Sequence, residues 1–133
     1  MKILIVEDNA LVALDLEQQV TDAGHSVVGI ADTSSKAIDL AAEHGANLVL
    51  MDVSLAGGSC GIDTALALKE RFGIPSIFVT ATLPKRAEVR RAGIGHLSKP
   101  YSEEEIVATI HAVEAMLRGE PSRSLPSRLR LFA

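Results

Sequence analysis

The stretch that most constrains the fold is Leu48-Val49-Leu50-Met51-Asp52, four apolar residues that stop on one carboxylate. A run this short and this continuously apolar reads as a strand buried on both faces. Ending it on Asp52 puts a charge at the mouth of a sheet, where open α/β folds keep their chemistry. Three further runs share the form. Lys2-Ile3-Leu4-Ile5-Val6 stops on Glu7-Asp8, Ser76-Ile77-Phe78-Val79 stops on Thr80, and His96-Leu97-Ser98 stops on Lys99-Pro100. Acids, a hydroxyl and an ammonium therefore collect at strand ends.

Helical patterns separate these runs. Asn9 is an N-cap for a helix to about Ala23, with Val12, Leu16 and Val20 along one face and Gly24 as its stop. Ser26 to Ala31 is a short β-rich run, and Asp32-Thr33-Ser34-Ser35 offers N-caps for a helix to about His44. A third helix leaves a small-residue loop (residues 54–61) at about Ile62 and runs to Phe72. Pro84 suits the first turn of a fourth helix that Gly93 ends. Ser102 and Glu105 form a capping box for a fifth helix to about Leu117. Strand and helix thus alternate five times, which predicts an α/β doubly wound parallel sheet of five strands with five helices on its two faces. Five units are too few to close a barrel.

Charge and cysteine usage narrow the function. The chain has 133 residues and a net charge of −4. From Arg118 onward it carries +3, which leaves the body at −7 and argues against nucleic acid as the main partner. Residues 118–133 read as a basic, mobile tail behind a domain over 1–117. A lone cysteine, Cys60, suits a reducing compartment and offers no disulfide framework. No apolar run is long enough to span a bilayer, and Met1 leads straight into a strand, so a cytoplasmic protein with no membrane partner is expected. His25, His44 and His111 show no ligand spacing and are expected at the surface.

With strand order 2-1-3-4-5, strands one and three are neighbours, and Glu7, Asp8 and Asp52 share one crevice. Each like-charged pair at about 4 Å costs on the order of 4 kcal/mol at an effective dielectric near 20. A hard divalent cation relieves that repulsion, and carboxylates with water suit Mg²⁺. Lys99 adds a positive charge at the same rim, and Thr80 a hydroxyl. Such a set suits phosphoryl transfer to a carboxylate, with Asp52 attacking in line and Thr80 reading the new charge.

The motifs Val6-Glu7-Asp8-Asn9, Leu50-Met51-Asp52, Val79-Thr80-Ala81 and Leu97-Ser98-Lys99-Pro100 stand in order and at suitable spacing. In them the chain resembles a response-regulator receiver domain of two-component signalling, over residues 1 to about 117. The resemblance implies a flavodoxin-like fold, with Asp52 as phosphoacceptor and Mg²⁺ held by Glu7, Asp8, Asp52 and the backbone carbonyl of Ser54. It also implies Thr80 as switch hydroxyl, Lys99 as the ion-pairing lysine and a cis peptide at Lys99–Pro100. The partners it implies are a sensor histidine kinase or histidine phosphotransferase and a downstream effector protein. It leaves open a homodimer through the fourth and fifth βα units.

Three features depart from the common receiver pattern. His96 stands three residues before the lysine, where receivers usually carry a Tyr or Phe that swings inward; the position is read as a switch candidate or a structural imidazole. The loop after Asp52 has Ala56 where many receivers have Pro, in the manner of general-stress regulators of the PhyR type. Only 18 residues separate Thr80 from Lys99, which implies a shortened fourth helix.

Other functions fit less well. A haloacid-dehalogenase-type phosphohydrolase needs a second Asp two residues after its nucleophile, and Ser54 stands there. A flavin or nucleotide module needs a phosphate-binding loop after the first strand, where Glu7-Asp8 would repel the ligand. The function expected is therefore a phosphorylation-controlled receiver without an output domain, with a pseudo-receiver that binds without phosphorylation as a further alternative.

Overall fold

In the computed structural model, which describes residues 1–120 and 125–132, apolar alternation along each strand divides the core in two. The strands are β1 (Lys2–Val6), β2 (Ser26–Ala31), β3 (Leu48–Met51), β4 (Ser76–Thr80), β5 (Gly95–Ser98) and β6 (Leu129–Leu131). Their spatial order is β2-β1-β3-β4-β5-β6, parallel throughout except for β6. The helices are α1 (Ala10–Asp22), α2 (Ser34–His44), α3 (Gly61–Phe72), α4 (Glu88–Ala92) and α5 (Glu103–Leu117).

Leu4, Val6, Val49, Met51 and Phe78 point to one face and pack with Ala37 and Ala41 of α2 and Ile62, Ala65 and Leu68 of α3. Their sequence neighbours Ile3, Ile5, Leu48, Leu50, Ile77 and Val79 point the other way, to α1 and α5. The period of two along a strand sends successive side chains to opposite faces, so a central strand must be apolar at every position. β1 past Lys2, β3 and β4 are buried throughout, as that rule demands.

The helix starts follow their caps. The Asn9 side chain accepts from the backbone N–H of Leu11 and Val12, and Thr33 from Lys36. Ser102 and Glu105 make the reciprocal capping box. Helices α3 and α4 instead begin without a side-chain cap, after Cys60 and Ala87. Helix α4 begins at Glu88, not at Pro84, because the chain there turns more tightly than a helix, with Arg86 N–H donating to the Pro84 carbonyl (3.1 Å). It spans only five residues.

Beyond Gly119 the described part of the chain departs from the expected mobile tail. Leu129–Leu131 pair antiparallel with β5, Leu97 opposite Leu129 and Gly95 opposite Leu131. Ser98 N–H donates to the Arg128 carbonyl (3.3 Å) and Phe132 N–H to that of Ile94 (3.0 Å). Gly95 makes the approach feasible, since a Cβ there would lie 2.9 Å from the Arg130 carbonyl oxygen. Leu129 enters the α1–α5 side of the core and Phe132 packs against the other. The part of the tail at 121–124, with Arg123, and residue 133 lie outside the described residues.

His25 is buried, against the surface position expected of it. Its Nδ1 accepts from the Met1 ammonium (2.9 Å), its Nε2 is buried without a partner, and its ring lies 5.8 Å from that of His111. Burial first, then the Met1 ammonium and His111, lower its pKa from the ordinary 6.5, against an opposing pull from Glu114. The neutral ring is therefore the native form. Stability should be full above pH 6.5, where the unfolded chain is also neutral, and should be lost as pH falls through the lowered native value. Urea midpoints between about pH 5 and 8 should decline at the acid end for wild type and flatten in His25→Gln. An equal decline in both would remove His25 from that role.

Candidate functional site

Four parallel strands, β1, β3, β4 and β5, deliver the candidate residues to the same end of the sheet. Val6 is in register with Met51, and Asp52 N–H donates to the Val6 carbonyl (2.9 Å). Glu7, Asp8 and Asp52 therefore leave adjacent strands together, each with a carboxylate oxygen within 4.8 Å of the others. Glu7 and Asp52 are buried, and Asp8 is exposed.

Lys99 supplies the balancing charge from across the sheet. Its backbone N–H donates to the Thr80 carbonyl (3.1 Å), which anchors the residue at the end of β4. Its Nζ then donates to Glu7 Oε1 at 2.7 Å and lies 3.9 Å from Asp52 Oδ2. The peptide that follows, Lys99–Pro100, is cis. Glu7 Oε2 accepts from the Asn9 N–H (3.2 Å). Both Glu7 oxygens are thus engaged, whereas among the described residues no hydrogen bond holds the carboxylate of Asp8 or Asp52. One ammonium against three carboxylates leaves two negative charges uncompensated. A hard cation with oxygen ligands fits that donor set.

Thr80 is buried at the C-terminal end of β4, beside the strand that carries Asp52. The ring of His96 on β5 reaches the same residue: Nε2–H donates to the Thr80 carbonyl at 2.9 Å. A carbonyl can only accept, so this bond sets the ring tautomer. Ser54 lies in the loop beyond Asp52, bridged to Cys60. That loop closes tightly, with Gly61 N–H donating to the Val53 carbonyl (2.7 Å).

Two residues near the crevice were not singled out by sequence reasoning. Gly61, at the end of the small-residue loop, touches the chain just past β3: a Cβ there would sit 1.8 Å from the Asp52 carbonyl oxygen. Tyr101 lines a pocket of about 350 Å³ with Val12, Asp15, Gln19 and Lys99. Burial, with Glu7 and Asp15 nearby, pushes its phenol up to about 12, so it stays protonated. Its signal in sequence was only its place two residues after Lys99.

The family profile of the response regulator receiver domain matches residues 3–111. The chain belongs to the receiver domain family of response regulators. It is 38% identical over 111 residues to the phyllosphere-induced regulator PhyR of Methylorubrum extorquens, covering 82% of this chain and 42% of that protein. The crystal structure of the anti-anti-sigma factor PhyR from Bartonella quintana superposes with a TM-score of 0.74 at 30% identity, over 89% of this chain and 49% of that one. The signal receiver domain of a modulated diguanylate cyclase from Desulfovibrio desulfuricans G20 gives 0.79 at 28% identity, over 90% and 98%. The flavodoxin-like receiver fold is therefore shared, with β6 added at its edge. This receiver spans about half the length of the curated relatives it matches. No helix among the described residues is long and apolar enough to cross a membrane.

Proposed function

We propose that this receiver accepts a phosphoryl group on Asp52 from the phosphohistidine of a sensor histidine kinase or histidine phosphotransferase, and signals through a partner protein. The observation that carries the reading is the Asp52 carboxylate at a strand end, flanked by Lys99 and grouped with Glu7 and Asp8. In the transfer, an Asp52 carboxylate oxygen bonds to phosphorus as the phosphorus–nitrogen bond of the donor breaks. The product is an acyl phosphate that water later hydrolyses, so the chain acts as a stoichiometric acceptor.

Asp8, Asp52, Glu7 and the Ser54 carbonyl would hold Mg²⁺. When bound, the ion supplies charge neutralisation at the phosphoryl oxygens. Lys99 steadies Glu7 in the resting chain and lies close enough to Asp52 to turn to a phosphoryl oxygen. The Thr80 hydroxyl donates to another. Moving Thr80 pulls on the carbonyl that holds His96, which carries the change from β4 to β5.

Leu11 and Leu14 support docking of the donor. They are 79% and 56% exposed on α1, the helix that starts beside the crevice. A protein partner for output is supported by similarity to a relative named as an anti-anti-sigma factor. On this reading the chain works in the cytoplasm, and self-association on phosphorylation would use α4 and β5.

Incubation with acetyl phosphate and Mg²⁺ should add one phosphoryl group by intact mass, and a chelator should prevent it. No gain under any condition would leave a pseudo-receiver. Steady turnover of small phosphate esters would make the protein a phosphohydrolase. The ring resonances of His96 should also shift when a phosphoryl mimic is added; unchanged signals would assign that ring to structure alone.

A further inference from the structure

On the α3 side, α4 packs Val89 and Ala92 into the core. At about 1.5 Å per residue, its five residues leave a cleft over β5 and β6. His96 and Ser98 of β5, with Arg130 of β6 and Arg128 just before it, line one side of this cleft of about 780 Å³. The chain from Ala81 to Arg90 lines the other and brings Lys85, Arg86 and Arg90 to it, and half-buried Phe132 adds an aromatic wall. Of the 13 Lys and Arg in a chain of net charge −4, this cleft gathers Lys85, Arg86, Arg90, Arg128 and Arg130.

Only some of that charge is balanced. Arg86 pairs with Asp63 (2.9 Å) and Glu88 (3.5 Å), and Arg128 with Glu105 (3.6 Å). Among the described residues Lys85, Arg90 and Arg130 have no carboxylate within 4.0 Å, and Arg90 instead lies over the Phe132 ring (6.0 Å). The lining is not purely ionic: Leu83, Val89 and Phe132 add apolar surface. A ligand that matches it must be both acidic and apolar. The carboxylate crevice at the same ends of the strands opposes a nucleic-acid backbone, whose charge is continuous.

We propose that this cleft docks an acidic amphipathic helix of a partner protein, which completes the helix layer over β5 and β6. The proposal names the chemistry of the output partner and rests on the switch reading only for that role. The cleft belongs to the unphosphorylated chain, so failure to bind and failure to phosphorylate would be separate results.

The test uses the full chain and a fluorescein-labelled helical peptide of about 15 residues, with Leu on one face and Glu on the other. Anisotropy should show saturable binding that weakens as salt rises, with amide shifts at His96 and Ser98. Arg130→Glu should weaken it about tenfold. Arg90→Glu, which leaves β6 untouched, should do the same. Arg71→Glu, an equal charge change on exposed α3, should stay within about twofold. Absence of binding, equal loss with Arg71→Glu, or equal binding of a Glu/Ser peptide without Leu would overturn the proposal. Tighter binding of a DNA duplex that Arg130→Glu abolishes would assign the cleft to nucleic acid instead.

Discussion

Asp52→Asn should take up no phosphoryl group from acetyl phosphate and Mg²⁺, and should unfold at higher urea than the wild type. Both effects come from one property of the crevice. On the proposed reading Asp52 is the phosphoryl acceptor, and it is held near Glu7 and Asp8 with one ammonium among them. An amide of the same shape removes that nucleophile and also a like-charge repulsion. The gain in stability should be on the order of 1–2 kcal/mol without added metal. Added Mg²⁺ should stabilise the wild type more than the variant, because it binds the folded cluster. Uptake by Asp52→Asn would move the acceptor elsewhere. A variant less stable than wild type would mean that Lys99 already compensates the cluster.

Gly61→Ala should be the most damaging substitution of a single atom's worth of side chain near the site. The added Cβ would lie 1.8 Å from the Asp52 carbonyl oxygen and 2.8 Å from the Val53 Cα, both backbone atoms with no rotamer to yield. Relief requires either α3 or the end of β3 to move. A loss of about 3 kcal/mol or more is expected, read as a lower urea midpoint. The rate of phosphoryl uptake should fall by about a hundredfold, since a shift of about 1 Å in a reacting group has that scale of effect. Unchanged uptake would show that the loop absorbs the shift without moving the Asp52 side chain.

Glu7, Asp52 and Thr80 were legible in the sequence because each directly follows or ends an apolar run, and Asp8 and Lys99 because each stands two residues past a strand's last apolar residue. Strands buried on both faces leave little doubt about where they stop. Helix starts at Asn9, Thr33 and Ser102 were legible for the same local reason, a side-chain acceptor before a periodic run. Features decided by distant contacts were not. Pro84 signals a helix start, yet the turn begins only at Glu88. The pattern Leu129-Arg130-Leu131 is too short to declare a strand until β5 offers it an edge. The role of Gly61 depends on the proximity of Asp52, nine residues earlier, and that of Glu7 on a lysine near the other end of the chain.

The antiparallel strand β6 has a consequence for handling this protein. In a chain cut at Leu117, β5 would become a bare parallel edge, its backbone groups at Ile94 and Ser98 unpaired and Leu97 less covered. Such an edge is a template for pairing with another chain. In the longer chain the outermost strand is three residues with Arg130 at its centre, which discourages stacking. Self-association of the shortened form would report the cut, and the switch is best judged on the chain that keeps its own edge guard.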